Sequence, residues 1–260
     1  MSSSPELQAA LEAAAAAAEI ARSLYRRNLA VRLKSDKSPV TEADVRCELA
    51  IREILSSRFP AYGFFGEETG GTAAETESAW LVDPIDGTKA FIREYPMFST
   101  QIALMRCGEI VLGVSSAPVY GEIAHAERGC GAFLNGQRIA VSDLDELEVA
   151  ALSSGNLKTL ASGTLWNRYG DLVARVGRIR GYGDFLHYHL LAAGKIDVVV
   201  ESDVNVLDIA AAVAIVSEAG GVFTDLEGRP ITLSSTTVLA SNGRLHAKVL
   251  AALGAAAARR

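Results

Sequence analysis

The sequence predicts a mixed α/β fold, with helices and strands in both halves and a change of texture near residue 145. Three observations indicate this fold class. Residues 5–57 are rich in helix-forming residues, residues 80–134 alternate between short apolar runs and turns, and later residues alternate between strand-like and helix-like segments. We therefore expect an N-terminal half over residues 1–145 and a C-terminal half over residues 146–260, which together form one compact unit.

The N-terminal half begins with two predicted helices. Residues 5–30 are rich in alanine, which favours a helix. Residues 41–57 carry apolar residues at helical spacing, and Thr41 can cap this helix with Asp44 three positions later. Turns such as Asn135-Gly136 favour hairpins in the segment that follows. Strands are expected at residues 62–66, 80–82, 100–105, 110–116 and 122–127.

The C-terminal half is predicted to alternate between strands and helices. The pair Gly220-Gly221 is a strong helix-termination signal after an apolar helix. Strands are expected at residues 149–152, 196–201, 222–224 and 237–240, and helices at residues 160–176, 183–193, 208–219 and 246–253.

The composition excludes several classes of protein. The chain has 260 residues, of which 49% are hydrophobic, and this fraction excludes intrinsic disorder. The net charge of -6 argues against nucleic acid as the main partner, because phosphate backbones require an excess of Lys and Arg. Three cysteines without a CxxC pair indicate a reducing compartment. No apolar run is long enough to span a membrane, so we expect a cytoplasmic protein.

The segment Asp83-Pro-Ile-Asp-Gly-Thr88 carries the sharpest chemical signal, because it directly follows an apolar strand. Pro84 fixes its own φ, and the turn allows Asp83 and Asp86 to point at one centre. Gly87 lets backbone N–H groups approach an anion, and Thr88 begins a helix whose N-terminal end favours phosphate. Carboxylate oxygens suit Mg²⁺, which binds a few carboxylates together with substrate phosphate. The alternative interpretation is an ordinary surface turn.

Further carboxylates are ordinary when each is taken alone. Glu67-Glu68 follows a short strand and is also compatible with a solvated turn. Asp208 lies at the start of an apolar helix, where Asp is usually a cap. Asp44 is compatible with a carboxylate on the surface of a helix.

Together these motifs resemble the inositol-monophosphatase-like superfamily of Mg²⁺-dependent, lithium-sensitive phosphatases. Glu67-Glu68, Asp83 to Thr88 and Asp208-Ile-Ala-Ala followed by Glu218-Ala-Gly-Gly have the order and spacing of that family. The resemblance covers residues 7–253 and implies a layered αβαβα sandwich. It also implies a phosphomonoesterase that commonly forms a homodimer and acts on a small phosphorylated metabolite.

The resemblance implies a role for each matching residue. Glu67, Asp83 and the backbone carbonyl of Ile85 would hold a first Mg²⁺, and Asp83, Asp86 and Asp208 would hold a second. Clustered divalent ions neutralise a phosphate monoester and assist direct attack by water.

The same resemblance assigns the remaining catalytic groups. Glu67 would also contact a third, more weakly held ion through water, so that two or three ions act. Gly87 and Thr88 would bind the phosphate, whereas Asp44 and Thr88 would orient the attacking water.

A Lys at position 89 is shared by the histidinol-phosphatase and bisphosphate-nucleotidase branches, whereas Gly183-Asp-Phe185 and residues 241–246 look most like the histidinol-phosphate phosphatase branch. We therefore expect Asp184 and Glu201 to bind substrate, because histidinol phosphate carries an ammonium group and an imidazole. Inositol-type members also place a carboxylate at the position of Glu201, so this residue does not discriminate between the branches.

Two departures from the family pattern concern the substrate pocket. Leu207 stands where the family usually has Trp, and Glu201-Ser-Asp203 replaces the usual Glu-Pro-Glu stretch. The alternatives are an inositol monophosphatase, a 3′(2′),5′-bisphosphate nucleotidase and, in a different class, a catalytically inactive scaffold.

Overall fold

The computed structural model describes residues 3–35, 37–71 and 76–254 of the chain. The polypeptide divides into two units. Unit 1 is Met1–Gly136 together with Leu207–Ile215, and unit 2 is Gln137–Val206 together with Val216–Arg260. Unit 1 is therefore discontinuous in sequence, because a late segment of the chain belongs to it.

Both helices and strands occur along the described residues. The helices are α1 (Pro5–Leu24), α2 (Glu42–Arg58), α3 (Thr88–Ile92), α4 (Lys158–Ser162), α5 (Trp166–Arg175), α6 (Asp184–Ala192), α7 (Val206–Glu218) and α8 (His246–Leu253). The strands are β1 (Arg32–Leu33), β2 (Pro39–Val40), β3 (Gly63–Gly66), β4 (Gly70–Gly71), β5 (Ser78–Asp86), β6 (Ser99–Arg106), β7 (Glu109–Ala117), β8 (Glu122–Glu127), β9 (Gly131–Leu134), β10 (Gln137–Ile139), β11 (Ala151–Ser154), β12 (Arg178–Arg180), β13 (Val198–Ser202), β14 (Val222–Thr224) and β15 (Thr237–Ser241).

The core of unit 1 lies between two helices and a sheet. The strands of unit 1 in this sheet follow the order β9-β8-β7-β6-β5-β3-β4, and only β3 and β5 run parallel among these neighbours. Helices α1 and α2 pack against each other and against the sheet. The buried face of α1 consists mostly of alanines, whose small side chains allow this close packing.

Unit 2 is built on a second, mixed sheet with the strand order β12-β11-β13-β15-β14. Strand β11 runs parallel to β12 and to β13, whereas β15 runs antiparallel to β13 and to β14. Helices α5 and α8 pack together, and a buried apolar cluster that includes Leu152, Val198 and Leu239 forms the core.

The first helix ends earlier than the alanine-rich composition predicts. Helix α1 stops at Leu24, because Tyr25 adopts an extended conformation and Arg26 has a φ of 58°. The Tyr25 ring then lies 5.6 Å from Phe91 and 5.1 Å from Phe98, measured between ring centroids. Aromatic packing in the core therefore overrides the local helix propensity.

Two predicted elements of unit 2 also differ from the structure. The helix expected over residues 160–176 is divided into α4 and α5, because Gly163 is the C-cap of α4 and leaves the helical conformation. The strand expected over residues 149–152 begins later, at Ala151, after a 3₁₀ turn at Leu147–Val149.

Candidate active site

Strand β5 brings two carboxylates to one place through an irregularity in its pairing. Residues three apart on a regular strand point to opposite faces of the sheet. In this structure the register shifts between Asp83, which pairs with Gln101, and Asp86, which pairs with Ser99. The shift means that β5 has one residue more than β6 between these two pairs, and this bulge brings both carboxylates to the same face of the sheet. The strand therefore runs through Asp86, rather than ending before Asp83 as the sequence suggests.

Hydrogen bonds fix this segment. The backbone N–H of Ile85 donates to Oδ1 of Asp83 over 2.9 Å. The Ser99 hydroxyl donates to Oδ2 of Asp86 over 3.2 Å, and the Thr100 hydroxyl donates to the carbonyl of Pro84 over 2.9 Å. Both aspartates are thus held in defined orientations inside the protein.

Helix α7 supplies a third carboxylate, that of Asp208 in its first turn. The helix approaches strand β7 very closely at Gly113, where an added Cβ would lie 2.3 Å from the carbonyl oxygen of Ala211. Only glycine allows this approach, since any side chain would collide with the helix backbone. Gly113 therefore helps to set the distance at which Asp208 stands from the sheet.

Asp83, Asp86 and Asp208 form a tight acidic cluster. One carboxylate oxygen from each lies within 4.8 Å of the others, and the Asp83 and Asp86 side chains are buried. Burial raises the pKa of Asp83 well above its usual range, and the charges of Glu67, Asp208 and Asp86 raise it further. Mutual repulsion of this kind is relieved when a cation lies between the carboxylates.

Glu67 lies beside this cluster at the end of β3, and its electrostatic influence on Asp83 shows that the two side chains are near neighbours. The ammonium group of Lys34 lies 2.8 Å from Oε1 of Glu67 and 2.7 Å from Oε1 of Glu68. Burial lowers the pKa of Lys34. The hydrogen bonds and negative charges of Glu67 and Glu68 outweigh this effect, so the pKa of Lys34 is raised.

Asp44 and Thr88 contact each other beside the carbonyl of Ile85. The Asp44 side chain is fully buried, and its Oδ2 accepts hydrogen bonds from the backbone N–H and the hydroxyl of Thr41. Thr88 donates to Oδ1 of Asp44, and its Oγ1 lies 3.1 Å from the carbonyl of Ile85. Burial raises the pKa of Asp44, although the bonds from Thr41 and Thr88 oppose this. Gly87 precedes Thr88 as the N-cap of α3.

A separate group of polar side chains is buried in unit 2, around Glu201 at the end of β13. Oε1 of Glu201 accepts from the backbone N–H of Asn156 over 3.1 Å, and Oε2 accepts from the Tyr188 hydroxyl over 2.7 Å. His187 is fully buried, and its Nε2 lies 3.2 Å from Oε2 of Glu201, an electrostatic contact without aligned hydrogen-bond geometry. Burial acts to raise the pKa of Glu201. His187 and the hydrogen bonds from Tyr188 and Asn156 outweigh burial, so the pKa of Glu201 is lowered.

Asp184 begins helix α6 with a φ of 45°. Burial raises the pKa of Asp184 to about 6, and the neighbouring negative charge of Glu201 contributes, whereas His187 acts in the opposite direction. Asp184, His187 and Glu201 therefore form one electrostatically coupled group.

Comparison with known proteins identifies the family. The inositol monophosphatase family model matches residues 2–258. The chain belongs to the inositol monophosphatase family. A histidinol-phosphatase from Mycobacterium tuberculosis is 41% identical over 233 residues, which are 88% of this chain and 89% of that protein. An inositol-1-monophosphatase from Mesorhizobium japonicum is 35% identical over 247 residues, which are 92% of this chain and 93% of that protein.

Solved structures of the family share the fold. The extragenic suppressor protein suhB from Bartonella henselae superposes with a TM-score of 0.89 at 33% identity, over 96% of this chain and 99% of that one. The predicted fold class, an α/β sandwich of the inositol monophosphatase type, is confirmed. Membership also makes the chain a phosphatase that acts on small phosphorylated substrates. In the described part of this phosphatase, every helix is too short or too polar to cross a lipid bilayer.

The acidic cluster fits the metal-dependent chemistry of the inositol monophosphatase family. Its donors are carboxylate oxygens, which bind hard divalent cations. They are close enough to share an ion, and burial together with the charges of the neighbouring carboxylates raises the pKa of Asp83. The residues present therefore suit a metal ion.

The structure sorts the predicted site residues of this phosphatase into two groups. One group lies in unit 1 and consists of Asp44, Glu67, Asp83, Ile85, Asp86, Gly87, Thr88 and Asp208. The other lies in unit 2 and consists of Asp184 and Glu201.

Sequence reasoning missed two residues of this phosphatase. His187 contacts Glu201, although its position on a helix favours an ordinary packing role. Glu48 is fully buried beside the segment that carries Glu67. Its spacing of one helical turn after Asp44 was a usable signal, because residues four apart share a helix face.

Proposed function

We propose that this phosphatase hydrolyses histidinol phosphate to histidinol and inorganic phosphate with the help of Mg²⁺. The tight cluster of Asp83, Asp86 and Asp208 carries the catalytic part of the proposal. Histidinol-phosphatases at 36–41% identity support the choice of substrate. Asp184 supports it further, because a carboxylate suits the cationic groups of histidinol, and Glu201 would also bind substrate without discriminating between the branches.

The metal ligands would be the carboxylates that the structure groups in unit 1. Glu67, Asp83 and the carbonyl of Ile85 would hold one ion, and Asp83, Asp86 and Asp208 would hold a second, with Glu67 contacting a third. Bound Mg²⁺ would neutralise the phosphate dianion and stabilise charge that develops on the leaving oxygen.

The remaining groups of unit 1 orient the reactants. Asp44 holds the Thr88 side chain through their hydrogen bond. In the proposal Asp44 and Thr88 orient the attacking water, while Gly87 and Thr88 bind the phosphate. Water would attack phosphorus directly while the P–O bond of the ester breaks. The proton that water loses balances the one that the leaving oxygen gains, so histidinol would leave as the alcohol and phosphate would form without a phosphoenzyme.

The proposal also includes two properties of the assembled enzyme. We infer from the family resemblance that the chain forms a homodimer and that lithium inhibits it. Light scattering after size-exclusion chromatography measures the first property, and turnover at increasing lithium concentration measures the second.

A substrate panel tests the function. The kcat/KM for histidinol phosphate, inositol 1-phosphate and a 3′-phosphorylated nucleotide is measured with Mg²⁺ and after chelation. We expect histidinol phosphate to exceed the others at least about tenfold, which corresponds to about 1.4 kcal/mol of transition-state discrimination. Chelation should abolish all turnover.

Inositol phosphate is the competing substrate, because inositol-1-monophosphatases are also similar to the chain. A preference for inositol 1-phosphate would refute the histidinol assignment and leave the phosphatase chemistry intact. If no phosphate ester were hydrolysed with Mg²⁺, the chain would be an inactive scaffold.

A further inference from the structure

Helix α2 carries a buried carboxylate that faces the backbone beyond Glu67. Glu48 is fully buried, and its Oε2 accepts a hydrogen bond of 2.7 Å from the backbone N–H of Glu68. Its Oε1 accepts one of 2.9 Å from the backbone N–H of Thr69 and another from the Thr69 hydroxyl. One side chain therefore satisfies three donors of the two residues that follow Glu67.

The same carboxylate also touches the backbone that precedes Glu67. An added Cβ at Gly66 would lie 2.5 Å from the carboxyl carbon of Glu48 and 2.6 Å from each of its oxygens. A larger residue at position 66 would therefore displace the Glu48 carboxylate from its present position. Glu48 therefore contacts the residues on both sides of Glu67, namely Gly66 and Glu68.

A second residue of α2, Arg52, also contacts the loop after β3. Arg52, one helical turn after Glu48, donates hydrogen bonds to the Thr69 hydroxyl and, over 3.4 Å, to the carbonyl of Gly70. Its guanidinium lies 4.2 Å from the centre of the Phe64 ring. Phe64 and Gly70 flank the loop, so side chains of α2 contact residues on both sides of Glu67.

The cost of burying a carboxylate indicates why Glu48 is not an apolar residue. A charged group in the protein interior is unfavourable unless hydrogen bonds compensate for it. An apolar side chain at this position would leave the N–H groups of Glu68 and Thr69 without this acceptor. The carboxylate therefore satisfies these two N–H groups and fixes their positions relative to α2.

We propose that Glu48 is a positioning residue, which holds the backbone around Glu67 so that the Glu67 carboxylate is preorganised for the metal. This inference rests on the proposed function, since it assumes that Glu67 is a metal ligand. Glu48 acts through the loop, because its own oxygens are engaged by Glu68 and Thr69. Groups that orient metal ligands typically alter metal affinity 10- to 100-fold when they are replaced.

The test uses the full chain, freed of metal, as the wild type and as the variants Glu48→Gln, Thr69→Val and Glu53→Gln. Gln keeps the shape of Glu48 but turns an NH₂ donor towards N–H donors of the loop. Glu53 is an exposed carboxylate on the same helix, so Glu53→Gln is the matched control for the loss of charge. Calorimetric titration with Mn²⁺ gives the metal affinity, and circular dichroism gives Tm.

We expect Glu48→Gln to weaken Mn²⁺ binding about 10- to 100-fold, whereas Glu53→Gln binds as the wild type does. Thr69→Val should weaken binding by a smaller factor, because the two backbone hydrogen bonds to Glu48 remain. Saturating Mn²⁺ should restore the kcat of Glu48→Gln, and a merely structural role of Glu48 would not produce that rescue.

Wild-type affinity for Mn²⁺ in a folded Glu48→Gln variant would overturn the inference. If Glu48→Gln does not fold, Thr69→Val decides, and unchanged affinity in that variant would overturn it equally. A wild-type chain that binds no Mn²⁺ and hydrolyses no phosphate ester would instead refute the proposed function.

Discussion

The hydroxyl of Thr88 donates a hydrogen bond of 3.0 Å to Oδ1 of Asp44, a residue 44 positions earlier in the chain. The other oxygen of Asp44 is occupied by Thr41. Thr88 thus begins one helix while it contacts the first turn of another. In the proposed mechanism, this contact fixes the place from which water attacks.

Removing the Thr88 hydroxyl should slow the chemical step. Thr88→Val keeps the shape of the side chain but cannot donate to Asp44, so we expect kcat to fall at least about a hundredfold. Thr88→Ser keeps the hydroxyl and should retain most of the activity. Steady-state kinetics at saturating Mg²⁺ measures both variants, and equal activity of the two would contradict a role for this hydroxyl.

Replacing Asp86 by Asn should separate catalysis from stability. The variant loses a charge of the metal cluster, so we expect turnover to become undetectable. In the absence of divalent ions its Tm should equal or exceed that of the wild type, because one source of repulsion within the cluster is removed. A metal-free thermal scan makes this measurement. A strong loss of Tm would show that Asp86 has a structural role instead.

Asp184→Asn should impair the recognition of a cationic substrate. Asn tolerates the positive φ at this position, so the exchange removes charge with little backbone strain. We expect KM for histidinol phosphate to rise about tenfold, while KM for glycerol 2-phosphate stays unchanged. An equal rise for both esters would assign Asp184 a structural role.

Asp184 should also make the substrate preference of the enzyme depend on pH. Burial raises the pKa of Asp184 to about 6, so the carboxyl group becomes neutral as the pH falls through this value. The wild-type preference for histidinol phosphate over glycerol 2-phosphate should therefore decline below about pH 6. The preference of Asp184→Asn should not depend on pH in this way. The measurement is the ratio of kcat/KM for histidinol phosphate to kcat/KM for glycerol 2-phosphate, in both proteins and over a range of pH.

His246 should make the stability of unit 2 sensitive to acid. Burial lowers the pKa of His246 to about 4, and its two ring nitrogens lie 3.0 Å from the hydroxyls of Thr224 and Ser241. The unfolded chain binds a proton near pH 6.5, whereas the folded state stays neutral down to about pH 4. This contribution to stability is complete above about pH 6.5 and declines as the pH falls towards 4, by at most about 3 kcal/mol.

Urea unfolding of the wild type and of His246→Gln, each at pH 7 and pH 4.5, tests this expectation. The free energy of unfolding should decrease more steeply in the wild type, because Gln does not titrate. Equal decreases in the two proteins would exclude His246 as the source.

Much of the site could be predicted because its residues follow clear local patterns. Asp83 and Asp86 follow the apolar run at residues 80–82, and Thr41 with Asp44 forms a capping box at the predicted start of α2. The predicted strands of the meander lie close to their observed positions. Short-range periodicity and turn chemistry decide these features, and both are visible in the sequence.

Other features depend on contacts between distant residues. The end of α1 is set by the packing of Tyr25 on Phe91 and Phe98, which the alanine-rich composition does not reveal. Glu48 acquires its role only when the loop after β3 folds onto α2. Similarly, the bulge between Asp83 and Asp86 arises from pairing with β6.

The membership of residues 207–215 in unit 1 has a consequence for biosynthesis. A nascent polypeptide that has emerged only as far as β9 already contains Asp83 and Asp86 but still lacks Asp208. The acidic cluster of Asp83, Asp86 and Asp208 is therefore incomplete until α7 has been synthesised. An amino-terminal fragment ending at Gly136 should therefore capture divalent ions poorly, and adding a peptide that contains residues 207–215 in trans would supply the missing oxygen donor.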